Sequence, residues 1–184
     1  MSYIVKDLFV PISEYATVPK GSTLFEAVLA LEKAQEEYDH TKHRHRAVLI
    51  MDNDNRVIGK LSQLNVLRAI EFGNKQMKKV EDISQFGFSQ KFIQTCRQQY
   101  RTDGIPLKEL CSKTAKVKVE DFMKTPSEFE YIEEDTPLDI AINQLLRGPY
   151  LSLLVTRNEQ IVGILKLSDV FAAVFHEMKK NELS

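Results

Sequence analysis

A chain that repeats itself folds twice into the same unit and packs the two copies together, and this 184-residue chain repeats itself. In its first half a turn at Pro19-Lys20-Gly21-Ser22 leads into Leu24, Ala27, Val28, Leu31 and Ala34. That is an apolar stripe at helical spacing, which Ser22 or Thr23 can cap. In the second half Glu134-Asp135-Thr136-Pro137 leads into Leu138, Ala141, Ile142 and Leu145, with Thr136 the expected N-cap and Pro137 where a proline is tolerated. Each helix is followed by a β-rich run, a polar turn and a second apolar run: residues 47–51 and 57–61 in one half, 151–155 and 161–165 in the other. These read as hairpins. An amphipathic helix closes both halves, over residues 63–72 and 168–178. The unit is helix, strand, strand, helix, and the expected fold class is α/β of the α+β type.

Both halves carry a glycine in the second strand, a position three residues on, and an acidic or amide residue three further. The copies read Gly59-Lys60-Leu61-Ser62-Gln63-Leu64-Asn65 and Gly163-Ile164-Leu165-Lys166-Leu167-Ser168-Asp169. Over roughly residues 10–72 and 118–178 the chain resembles a pair of CBS domains, the regulatory repeat named after cystathionine β-synthase. The resemblance implies two repeats about a pseudo-twofold axis, forming a Bateman module with two related clefts between the sheets. It implies an adenine nucleotide (AMP, ADP or ATP) as ligand, no required cofactor, a homodimer stacked through its helices, and a regulated partner protein. The expected domains are residues 1–72, a basic and partly helical insertion over 73–117, and residues 118–184.

A nucleotide cleft needs an apolar slot, backbone groups to read the base, a carboxylate or amide for ribose, and cations for phosphate. Asp169 can accept from two ribose hydroxyls; Ser168 or Asp169 can equally cap the closing helix. Asn65 stands where Asp169 does in the other repeat and lacks its charge, so the first-repeat site is expected to be the weaker one. Ser62 is either an N-cap or a phosphate contact. Lys166, where the family has Thr or Ser, either reaches a phosphate or fills the cleft with its stem. The strand lead-ins contribute Arg44 and Arg46 in one half, and Arg147 and Tyr150 in the other. The three arginines are phosphate candidates because the guanidinium fork suits that work. Thr17, Val18, Tyr131 and Ile132 lie on the extended segments whose backbone, in the family, reads the base; Val18 and Ile132 also suit the core. The run His40-Thr41-Lys42-His43-Arg44-His45-Arg46 reads as an anion site, a solvated loop or, less well given its cations, a metal site.

Composition narrows the function classes. With 25 Lys and Arg against 26 Asp and Glu there is no global basic field, so nucleic acid is not the expected partner. The insertion is locally basic and has Phe88, Phe92, Ile93, Cys96 and Tyr100 at helical spacing, a helix that Asp103-Gly104-Ile105-Pro106 should stop. It reads as a helix packed on the module with its lysines in water, or as a partner surface. Two widely spaced cysteines and apolar runs too short to span a bilayer point to a cytoplasmic protein without membrane insertion. There is no GxSxG, HExxH, P-loop or GxGxxG pattern, so no enzyme is expected. A nucleotide sensor and a ligand-free dimerisation or docking scaffold both remain open.

Overall fold

The computed structural model describes residues 3–37, 44–70, 106–148 and 150–182. The predicted insertion helix, and His40 and His43, lie outside them. The first repeat consists of β2 (Thr17–Pro19), α1 (Leu24–Glu37), β3 (Ala47–Met51), β4 (Val57–Ser62) and a helix, α2, over residues 63–70. The second consists of β5 (Tyr131–Glu133), α4 (Leu138–Arg147), β6 (Ser152–Arg157), β7 (Gln160–Lys166) and α5 (Leu167–Glu182). Two further elements, β1 (Val10–Pro11) and α3 (Leu107–Thr114), precede the repeats.

The repeats match strand for strand. β3 pairs parallel with β2 and antiparallel with β4, and β6 does the same with β5 and β7. Both central strands shift register at the same place, between Ile50 and Met51 and between Val155 and Thr156. The pairing makes Thr17 the counterpart of Tyr131, Leu49 of Leu154 and Lys60 of Ile164. In the first hairpin the Asp52 carboxylate accepts from the backbone of Asp54 and Arg56 around a left-handed Asn55. The second turns on Asn158 and Glu159, both at positive φ, as a two-residue hairpin loop requires.

Each repeat also receives the segment that leads into the other. β1 joins the second repeat's sheet, Val10 against Ile164 and Pro11 against Gly163, giving the order β1-β7-β6-β5. Residue 124 bridges to Lys60 of the first repeat in the same way. The short 3-10 turn Val5–Asp7 buries Val5 in the second core, and its counterpart Val119–Asp121 buries Val119 in the first. The exchange explains a departure from the sequence expectation. Thr136 does not cap α4; Pro137 holds the N-cap position with no side-chain bond, and Leu138 N–H donates to the Tyr3 carbonyl. Thr23 does cap α1: its hydroxyl accepts from Glu26 N–H while the Glu26 carboxylate accepts from Thr23 N–H. A third apolar cluster, Val10, Tyr15, Leu49, Leu154 and Ile164, draws on residues of both sheets.

Candidate functional site

Residues 44–46 run extended into β3, so their side chains alternate: Arg44 and Arg46 are exposed and His45 is fully buried. With Gln35 of α1, Gln63 at the start of α2 and Ser168 of α5, they line a cleft of about 310 Å³. Five of the six side chains come from the first repeat and Ser168 from the second, so the cleft spans the two. α5 begins at Leu167, which puts Ser168 and Asp169 in its first turn, where N–H groups lack helical partners and favour an anion.

Ionisable groups back this cleft. The His45 ring meets Tyr15 edge-on at 4.4 Å. Burial pushes the imidazole down to about 4, and the Lys166 ammonium adds to the effect. A hydrogen bond with the Glu14 backbone and the carboxylates of Asp169 and Glu14 pull the other way. Lys166, itself buried, pairs with Asp169 at 3.3 Å. The cleft is therefore lined by two guanidinium groups and a neutral imidazole, and the lysine–aspartate pair lies within electrostatic reach of that imidazole.

The related place across the pseudo-twofold axis is built differently. Tyr150 and Leu151 stand where His45 and Arg46 do, by the strand register. Glu130, 1% exposed, holds two ammonium groups: Lys60 Nζ at 2.9 Å and Lys124 Nζ at 2.8 Å. Its carboxylate also accepts from Ser127 N–H. Lys60 donates to Ser152 Oγ as well, and Ser127 Oγ lies 3.4 Å from the Tyr150 phenol. Burial alone would push Glu130 up, but the bonds from Lys124 and Lys60 outweigh it and hold the carboxyl below its usual range.

The sequence pattern of the CBS domain matches residues 5–72 and 119–176, well over half of the chain. The chain belongs to the CBS-domain family. Solved CBS-pair structures share its fold. The CBS-pair protein CBSX2 from Arabidopsis thaliana superposes with a TM-score of 0.62 at 19% identity, over 97% of this chain and 99% of that one. A structure of CBSX2 in complex with AMP gives 0.60 at 19% identity, over 96% and 99%. A CBS-domain containing protein from Agrobacterium tumefaciens gives 0.58 at 17%, over 95% of each chain. A comparison with curated proteins returned no match.

Of the residues expected at a CBS-pair site, Arg44, Arg46 and Ser168 line the observed cleft, and Lys166 and Asp169 pair with each other and act electrostatically on His45. Ser62 and Asn65 form a reciprocal cap on α2, Ser62 N–H donating to Asn65 Oδ1 and Asn65 N–H to Ser62 Oγ. Val18 and Ile132 are core residues, whereas Thr17 and Tyr131 are exposed. Arg147 is exposed and donates to Asn143 Oδ1. Tyr150 packs against the Ser127 and Lys124 side. The sequence reading missed Gln35 and Gln63 as lining residues and named His45 only as a member of the run ahead of β3. The alternation Arg-His-Arg ahead of a strand carried the signal for His45, since an extended chain turns the middle side chain inward. No local pattern pointed to the Lys60–Glu130 contact. Among the described residues no group of His, Cys, Asp or Glu is placed to hold a metal, and no helix is long and apolar enough to cross a membrane.

Proposed function

We propose that this CBS pair is a non-catalytic sensor that binds an adenine nucleotide in the cleft between its repeats and reports occupancy to a partner protein. The observation that carries the reading is the meeting of Arg44 and Arg46 of one repeat with the α5 first turn, through Ser168, of the other. Phosphate oxygens between them would take charge-assisted bonds from both guanidinium groups and from the helix end. Asp169 would exchange part of its pairing with Lys166 for ribose hydroxyls, freeing the ammonium toward phosphate. A ligand touching both repeats binds best at one relative orientation of them, and that difference in affinity is what can drive a signal. The AMP complex of a protein with this fold supports the choice of ligand.

Calorimetric titration of the full chain with AMP, ADP, ATP and GTP tests it. The expected result is binding of an adenine nucleotide that weakens tenfold or more in Arg44→Ala/Arg46→Ala, the loss of one or more charge-assisted bonds. No heat with any adenine nucleotide at millimolar concentration overturns it. A second reading, a dimerisation or docking scaffold, is favoured by the apolar face that α5 leaves open, where Phe171, Phe175 and Met178 are all exposed. It predicts twice the chain mass by light scattering, and a monomer for Phe171→Glu.

A further inference from the structure

The pseudo-twofold axis relates the Arg44–Ser168 cleft to the place around Tyr150 and Glu130, where a second cleft is expected, and the two places differ in charge. The strand register gives each member of the Glu130 group a counterpart: Lys60 answers to Ile164, Glu130 to Ala16 and Lys124 to Val10. All three counterparts are apolar and buried. On one side of the molecule, then, a carboxylate with two ammonium partners replaces a patch of hydrocarbon.

The geometry around Glu130 is that of an occupied anion site. One oxygen is taken by Lys60 and the other by Lys124, while Ser152 and Ser127 supply the neighbouring hydroxyls. The β5 edge is also taken. Gln144 donates its amide to the carbonyls of Phe129 and Tyr131, at 2.8 Å each. Its counterpart six residues into α1 is Ala30, which has no donor. The acceptors that a purine amine would seek on this strand are satisfied from within.

We propose that Glu130 is an internal occupant of the second cleft, its carboxylate holding the Lys60 and Lys124 ammoniums that a phosphate would otherwise take, so that each chain binds one nucleotide and not two. To enter, a phosphate would have to displace a carboxylate that is bonded at both oxygens and leave it buried beside the incoming charge. The proposal rests on the nucleotide reading of the first cleft for its stoichiometry, and on the Glu130 contacts alone for the closure of the second.

Two probes separate those dependencies. With AMP, calorimetry of the full chain is expected to give one site per chain; Glu130→Ala, which installs the residue found at the counterpart position, is expected to give two, and Glu130→Ala/Lys60→Ile one again. Two sites in the unaltered chain, or one in a folded Glu130→Ala, overturns the proposal while leaving the first cleft standing. Absence of AMP binding in the unaltered chain overturns the nucleotide reading instead. Inorganic phosphate tests the closure independently once Arg44→Ala/Arg46→Ala has removed the first cleft's cations: in that background Glu130→Ala is expected to bind it at least tenfold more tightly than the chain that keeps Glu130, through Lys60. Should Glu130→Ala fail to fold, Glu130→Gln keeps the shape without the charge, and a phosphate affinity in the same background no higher than that of the chain that keeps Glu130 overturns the proposal.

Discussion

Gly59 and Gly163 are the residues by which the repeat is read in the sequence, and the structure supplies their reason: a close crossing, not a turn. A Cβ on Gly163 would strike the Phe9 ring and the Val10 carbonyl oxygen, whereas one on Gly59 would meet only the Met123 side chain. A side chain can swing away and a paired backbone cannot. Gly163→Ala is therefore expected to cost about 2–3 kcal/mol and Gly59→Ala about 1 kcal/mol, within the usual range for overpacking. Urea denaturation measures both, and equal costs would disprove this account. His45 carries a second prediction. Its imidazole titrates near 4 when folded, through burial first and Lys166 second, against an ordinary value of 6.5. Between those values the unfolded chain binds the extra proton, so this contribution is complete above pH 6.5 and drains away as pH falls toward 4. The full swing is on the order of 3 kcal/mol, with about 2 kcal/mol lost by pH 5. In His45→Phe the slope of stability between pH 5 and 7.5 should flatten; an unchanged slope would assign the titration to another group. At this scale Ser168 was named from the repeated motif and Arg44 and Arg46 from the basic run ahead of β3, and the three line one cleft. Glu130 was not, because its partner Lys60 is 70 residues away and nothing local betrays the pair.

Helices and hairpins were legible because their information is local: the stripes of α1 and α4 run at period 3.6, and the hairpin turns are polar and short. The motif spacing likewise gave the α2 cap, since Ser62 and Asn65 lie three apart and bond reciprocally. What remained hidden is non-local. β1 is two residues long, too short for any periodicity, and its partner Ile164 is far along the chain. The same exchange defeated the reading of Thr136 as a cap. The first N–H of α4 is met by Tyr3, and that of α1 by the Val117 carbonyl, so the segment from the other repeat serves at each helix start. At the end of β7, just before α5, the family pattern often has a hydroxyl where Lys166 stands. The ammonium instead pairs with Asp169, replacing a neutral cap by an ion pair that a bound anion can recruit.

At the scale of the whole molecule, the exchange means that neither repeat owns all of its core. The second lacks, without residues 3–11, the strand beside β7, the Val5 side chain and the carbonyl that meets α4. The first lacks, without residues 117–124, Val119, Phe122 and the bridge beside Lys60. A unit of some 60–70 residues buries too little apolar surface to tolerate such losses, since its stability is already marginal. Each missing piece is carried by the other half. A chain cut within residues 71–105 is therefore expected to behave as a split protein: each half alone gives no cooperative urea transition, while the two mixed in equal amounts recover a single transition and a 1:1 complex. The leading segments are what join them, so Val10→Asp, which places a charge at a buried position in β1, should abolish reassembly. Cooperative folding of either half on its own would show that the exchanged segments decorate two independent domains. Recovery of one transition only on mixing would instead make the pair a single thermodynamic unit, as a cleft that draws its walls from both repeats requires if it is to keep a fixed shape.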